Sequence, residues 1–273
     1  MTDGSGESGA LARHDRPVVF VMLVVLSVLA WAYTAHQARL MDAMEADMWR
    51  DMNMSMNGME PSWTLLDALL VFVMWSVMMA AMMVPGATPM ITAFATINRR
   101  RRARADPYVP TIVFLFGYIA IWAAFSVAAT GLQWALQRLE LLTTMMQSAS
   151  SYFSAALFVA AGLYQFSPLK ERCLAYCRSP DSFILSEWRD GATGAFVMGV
   201  RHGLFCLGCC AALMLLLFAV AVMDLRWVAA LAVLVTIEKL LPGSRFWRLG
   251  IGAVLIAIGV CLAFFRFREG IPV

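Results

Sequence analysis

From Pro17 to Ala35 the chain runs without a charged side chain, and it does so again from Gly203 to Met223. Each run has about the 20 apolar residues that carry an α-helix through the hydrocarbon core of a bilayer. No water is present there to satisfy a backbone, so such runs fold as helices. Composition agrees: 61% of residues are hydrophobic, 14% are charged and the mean hydropathy is +0.72, whereas a soluble globule carries about 25% charged residues. A water-soluble globular enzyme and a disordered chain are both excluded.

The sequence therefore predicts an all-α polytopic membrane protein, a bundle of about seven transmembrane helices with an external Met-rich segment. The predicted spans are 17–35, 64–88, 109–131, 149–167, 195–222, 226–241 and 246–265. Around them we place a disordered cytoplasmic leader at 1–16 and one transmembrane domain over 17–267, which includes an external Met-rich loop at 36–62. A short tail follows at 268–273. The segment Asn98 to Arg104 holds five Arg in seven residues, which marks a cytoplasmic loop under the positive-inside rule. Alternating from it leaves 14 basic residues inside and 6 outside, with Arg201 assigned to neither. The reading is a multi-pass membrane protein with a cytoplasmic N-terminus. Ala30-Trp31-Ala32 resembles a signal-peptidase site, but the long apolar run and the long polar leader fit an uncut anchor better. The Arg run reads as a topology signal; no nucleic-acid partner is expected.

Sulfur is the second unusual feature, with 20 Met and 6 Cys. Met41, Met44, Met48 and Met52 are spaced by three, four and four, one stripe of a helix. Met52, Met54, Met56 and Met59 then alternate with Asn, Ser and Gly in a turn-rich stretch. Soft thioethers suit Cu(I) and stay unprotonated; the alternative for the stripe is an interfacial amphipathic helix. In the second span Met74, Met78 and Met82 repeat at i, i+4 and i+8, a thioether ladder or else pliable packing. Pro85 and Gly86 are expected to break that helix near its inner end.

Five of the Cys cluster. Cys173 and Cys177 are four apart in a cytoplasmic segment, and a reducing cytosol keeps them free for metal. His202, Cys206, Cys209 and Cys210, at the start of the fifth span, share an arc of roughly 100° on a helix, so an imidazole and two or three sulfurs converge. Copper as Cu(I) is the expected ion and zinc a weaker candidate. Cys261 reads as packing. Glu238 and Lys239 lie side by side in sequence, with Arg201 and Asp190 as candidate partners.

Three stretches, MWSVMMAAMMVPG from Met74, GLYQFSPLKERCLAYCRSP from Gly162, and HGLFCLGCCAALM from His202 continuing to TIEKLLPG, resemble a bacterial family of predicted metal-binding integral membrane proteins. That family is a domain of unknown function associated with copper-chaperone-like roles. The resemblance covers roughly 63–245 and implies a multi-span metal-binding protein with no established enzymatic reaction. It carries to Met78, Met79, Met82, Met83, Pro85, Cys173, Cys177, His202, Cys206, Cys209 and Cys210. Ala211 and Ala221 stand where the family has Trp and Gly, which touches packing and removes no sulfur.

The expected function is capture of Cu(I) and its delivery to a cuproenzyme or across the membrane, without catalysis. The expected partners are the lipid bilayer and a cuproenzyme or a soluble metal chaperone. The competing readings are a membrane-embedded oxidoreductase component and a structural subunit whose sulfurs are packing. No Gly-rich nucleotide-binding motif with its Lys-Ser or Lys-Thr is present, which argues against an ATP-driven pump.

Overall fold

The computed structural model describes residues 5–50, 63–102, 110–143, 148–241 and 245–269. The described residues form helices: α1 (Ser5–Arg50), α2 (Leu65–Arg102), α3 (Thr111–Arg138), α4 (Ser151–Gln165), α5 (Pro168–Arg178), α6 (Pro180–Glu187), α7 (Gly191–Leu215), α8 (Leu217–Val220), α9 (Leu225–Leu240) and α10 (Arg245–Glu269). Among them, the stretches Pro17–Met44, Leu65–Arg99, Thr111–Arg138, Gly191–Val220 and Arg245–Phe265 are long and apolar enough to cross a membrane.

That gives five candidate spans where about seven were expected. The other two expected spans are the helices α4 and α9, of 15 and 16 residues. At about 1.5 Å per residue they reach roughly 22–24 Å, short of the ~30 Å hydrocarbon thickness. Their ends are fixed locally. The Ser150 hydroxyl accepts the Phe153 amide at the head of α4, and an Asp224 carboxylate oxygen accepts the Arg226 amide at the head of α9.

Two helices outrun their expected limits. Residues 5–16, expected as a disordered leader, are the first turns of α1, and α1 continues without a break past the end of the first span. Once a span supplies the nucleus, each added residue gains a backbone hydrogen bond for one pair of dihedrals fixed, so flanking polar sequence propagates the helix. In α2 the expected break at Pro85 and Gly86 is absent: the helix runs through Pro85 and Pro89 to Arg102. The hydroxyls of Thr88, Thr92 and Thr96 donate to carbonyls one turn back, and Tyr118 Oη reaches the Met83 carbonyl across from α3. The carbonyls that lose their helical donors to Pro85 and Pro89 are those of Ala81 and Pro85, so these bonds brace neighbouring turns while packing against α1, α3 and α9 carries the helix through.

Small residues set the closest packing. A Cβ on Gly117 would run into the Phe196 backbone and one on Gly199 into the Phe114 backbone, so α3 and α7 touch main chain to main chain. Gly162, Gly252 and Gly259 do the same for α4 against α10. Lipid offers no hydrophobic drive between helices, so this intimacy of contact supplies the attraction.

The core holds Trp75, fully buried against Phe218 at a ring-centroid distance of 5.1 Å, with its indole N–H donating to Gln133 Oε1 at 2.8 Å. Trp75→Phe strands a buried amide, and the expected loss is about 1–3 kcal/mol. Unfolding of the detergent-solubilised protein reads it, and adding Gln133→Leu should return much of the loss.

Candidate metal centre

Helix α7 supplies the centre of the sulfur cluster. Counted along Gly191–Val220, Cys206, Cys209 and Cys210 lie near the middle of that span, not at its start as expected. All three are buried, as are Cys173 and Cys177 of α5 and Met83 of α2.

The segment of Cys173 and Cys177, expected on the cytoplasmic side with both thiols on one face if helical, is helix α5, packed on α7 and α9. Ser167 caps it and Pro168 opens it. Lys170, Cys173, Leu174 and Cys177 form its buried stripe, at the i, i+3, i+4, i+7 spacing that makes one helix face. Gly208 admits this face: a Cβ there would lie 2.7 Å from Cys173 Sγ. One turn further, Cys177 Sγ stands 4.0 Å from Cys209 Sγ. Tyr164 Oη donates to the Gly208 carbonyl at 2.5 Å and pins the same turn of α7. Burial and the neighbouring Cys209 thiol push the Cys173 thiol above its ordinary value. Hydrogen bonding with Cys206 and with Cys209, then burial, pushes Cys177 higher still.

On the other side of α7 the Cys210 thiol reaches Met83 Sδ at 3.7 Å. Cys209 and Cys210 also donate to one backbone acceptor, the Cys206 carbonyl, at 3.1 and 2.8 Å. The Cys206 sulfur takes two other neighbours: Tyr118 Oη at 3.1 Å and Lys239 Nζ at 3.1 Å. Lys239 Nζ lies 3.7 Å from Met83 Sδ as well. Its alkyl chain passes Gly86, where a Cβ would sit 3.0 Å from Lys239 Cδ. The Pro85-Gly86 pair thus leaves α2 helical and clears a channel for a lysine.

Next to Lys239, Glu238 forms a buried ion pair with Lys170 at 2.7 Å, both side chains at most 2% exposed. Arg178 Nε donates to the Glu238 carbonyl at 2.7 Å. The partners suggested by sequence are engaged elsewhere: Arg201 pairs with Glu187, and Asp190 accepts the Trp188 indole N–H.

Other expected ligands are placed differently. His202 is buried, but its ring lies among Tyr118, Phe114 and Phe183, with centroids at 5.5, 6.1 and 5.7 Å, and Nδ1 has no hydrogen-bond partner among the described residues. The three α7 sulfurs converge as expected, while the imidazole is held by aromatic rings one turn away. Met74, Met78 and Met82 are buried on α2, yet so are Met79, Met83 and Met90. Among the described residues, the thioether that meets a thiol, that of Met83, is off the expected ladder. Met41 is half-buried against the core and Met44 is exposed. Met48 lies on α1, and Met52, Met54, Met56 and Met59 fall outside the described residues. Cys261, expected as packing, is exposed on α10.

Among the described residues, no three His, Cys, Asp or Glu side chains are already set around a common point as a cage. The thiols meet as hydrogen-bonded neighbours, two of them turned onto the Cys206 carbonyl. Tyr118, Lys239, Gly86 and Gly208 were missed as members of the centre. Their sequence signals were a small residue inside each sulfur motif and a lysine in an apolar helix, which is a costly placement.

The family model described as "PpoB2: Copper chaperone" matches residues 72–262. That stretch includes every residue of the buried cluster and leaves the Met segment at 41–59 outside. No curated protein and no solved structure matches the chain.

Proposed function

We infer that this chain, which belongs to the PpoB2 copper chaperone family, carries Cu(I) on the buried sulfurs where α2, α5 and α7 meet. The observation behind this reading is sulfur paired across separate elements: Met83 with Cys210 at 3.7 Å and Cys177 with Cys209 at 4.0 Å. On the zinc–sulfur scale of about 2.3 Å, two sulfurs on one ion lie no more than about 4.6 Å apart. Either pair therefore closes on an ion by side-chain rotation. Structural zinc asks for four ligands in a tetrahedron, and a thioether with one or two thiolates suits Cu(I) better. Met83, Cys206 and Cys210 make the first set; Cys177 and Cys209, with Cys173 a turn away, make a second set to which the ion passes.

The methionines from Met41 to Met59 are the external collection point in this reading, and a cuproenzyme or a soluble metal chaperone is the recipient. The chain works as a non-catalytic carrier in the inner membrane, with its N-terminus in the cytoplasm.

The test is a Cu(I) competition titration on the full-length protein in detergent. Outer-shell changes alone weaken metal sites by about 10–100-fold, so Cys206→Ser with Cys210→Ser should lower affinity by at least about 100-fold. Unchanged affinity would remove the buried set from the mechanism. Each thiol that ligates gives up its proton, so apparent affinity should rise by up to about tenfold per pH unit for each thiol displaced. A titration repeated across neutral pH checks the sign.

A further inference from the structure

Lys239 lies inside the sulfur cluster. Its ammonium touches Cys206 Sγ at 3.1 Å and Met83 Sδ at 3.7 Å, it is buried, and among the described residues no carboxylate pairs with it. The nearest acid in sequence, Glu238, is matched one to one by Lys170. Arg178 is partly exposed, so its charge is screened from outside. Tyr118 offers a hydroxyl and Gly86 only space. Lys239 is thus a buried cation whose partners are sulfur atoms.

We propose that Lys239 sets the charge of the cargo, restricting the centre to monovalent soft cations, Cu(I) or Ag(I), against divalent ions. The inference rests on the copper-carrying reading above. Cysteine ligates as thiolate, so a centre loaded through Cys206 and Cys210 holds two negative charges. A monovalent ion and the Lys239 ammonium cancel them. A divalent ion leaves one positive charge in a site closed to water, where an unbalanced charge is strongly penalised. Sulfur softness alone does not draw this line, because thiolates also hold zinc. The count of charges does.

The count predicts the behaviour of variants. Lys239→Met and Lys239→Gln remove the cation, so a divalent ion on two thiolates becomes the neutral complex. Lys239→Arg keeps the charge. The experiment is competitive loading of the full-length protein in nanodiscs with Cu(I) and Zn(II) under reducing conditions, and in parallel with Ag(I) and Zn(II). Bound metals are measured by mass spectrometry. The zinc-to-copper and zinc-to-silver ratios should rise by at least about tenfold in both neutral variants, while Lys239→Arg stays with wild type. A second arm uses Cys210→Ser, which leaves one thiolate beside the ammonium. It should bind Ag(I) poorly, and adding Lys239→Met should restore binding.

Wild-type ratios in both neutral variants would overturn the proposal, as would a Lys239→Arg ratio shifted as far as theirs, since packing rather than charge would then be responsible. Those results leave copper carriage standing. A wild-type protein that takes up neither Cu(I) nor Ag(I) would overturn copper carriage, and the charge count with it.

Discussion

Glu238→Ala is expected to destabilise the folded protein by about 3–5 kcal/mol, the usual penalty for stranding one partner of a buried ion pair. Lys170 and Glu238 are at most 2% exposed and 2.7 Å apart. Removing the carboxylate leaves an ammonium on α5 with no counter-charge. The loss should register as a lowered unfolding midpoint in detergent, with α5 the first element to become accessible to protease. A matched replacement, Lys170→Met with Glu238→Leu, removes both charges and should recover most of the stability, because a buried pair adds little over apolar groups of its size. A double variant as unstable as Glu238→Ala would show that the pair holds α5 by geometry and not by charge balance.

A second large effect is expected at the contact of α3 with α7. Gly199→Val places a branched side chain where the Phe114 carbonyl already lies. Overpacking a core that yields by moving side chains costs about 1–3 kcal/mol. Here the obstacle is backbone, so α3 and α7 must separate, and the loss should exceed that range. Tyr118 on α3 and Cys206 on α7 are hydrogen-bonded across this contact, so copper binding should fall together with the thermal midpoint. Gly131→Val on the same α3, where an added Cβ meets nothing within 4 Å, is the control and should change neither. Equal behaviour of the two variants would mean that close approach of the two helices is not needed for the fold.

Much of this architecture was legible in residue order. Long uncharged runs predict helices wherever lipid replaces water, and the spacing of Cys173 with Cys177 and of Cys206 with Cys210 places each pair on one helix face. The family resemblance likewise rested on motifs that can be read directly. What could not be read was which faces meet. Periodicity puts Met74, Met78 and Met82 in a row, but Met79, Met83 and Met90 are buried on α2 as well, and only the approach of α7 selects Met83. Charge was misread for a related reason. Lys170 counts among the 14 basic residues placed inside, and its burial depends on Glu238, 68 residues away. His202 keeps the spacing of a ligand, yet rings from α3 and α6 enclose it. Proline was overrated as a breaker because the packing of α1, α3 and α9 around α2, which holds the turns on either side of it, is not visible in residue order.

The uninterrupted course of α1 bears on how metal is handed over. From Ala35 to Arg50 the helix climbs about 22 Å more at 1.5 Å per residue. With the first span ending at the membrane surface near Ala35, Met41, Met44 and Met48 ride on the side of a stiff mast rather than on a slack tether, and the rest of the segment follows from its tip. Its height above the lipid is then set by helix length. A donor protein delivering copper there has no need to enter the headgroup layer, and shortening α1 by whole turns should change which donors can reach it while leaving the buried sulfurs as they are.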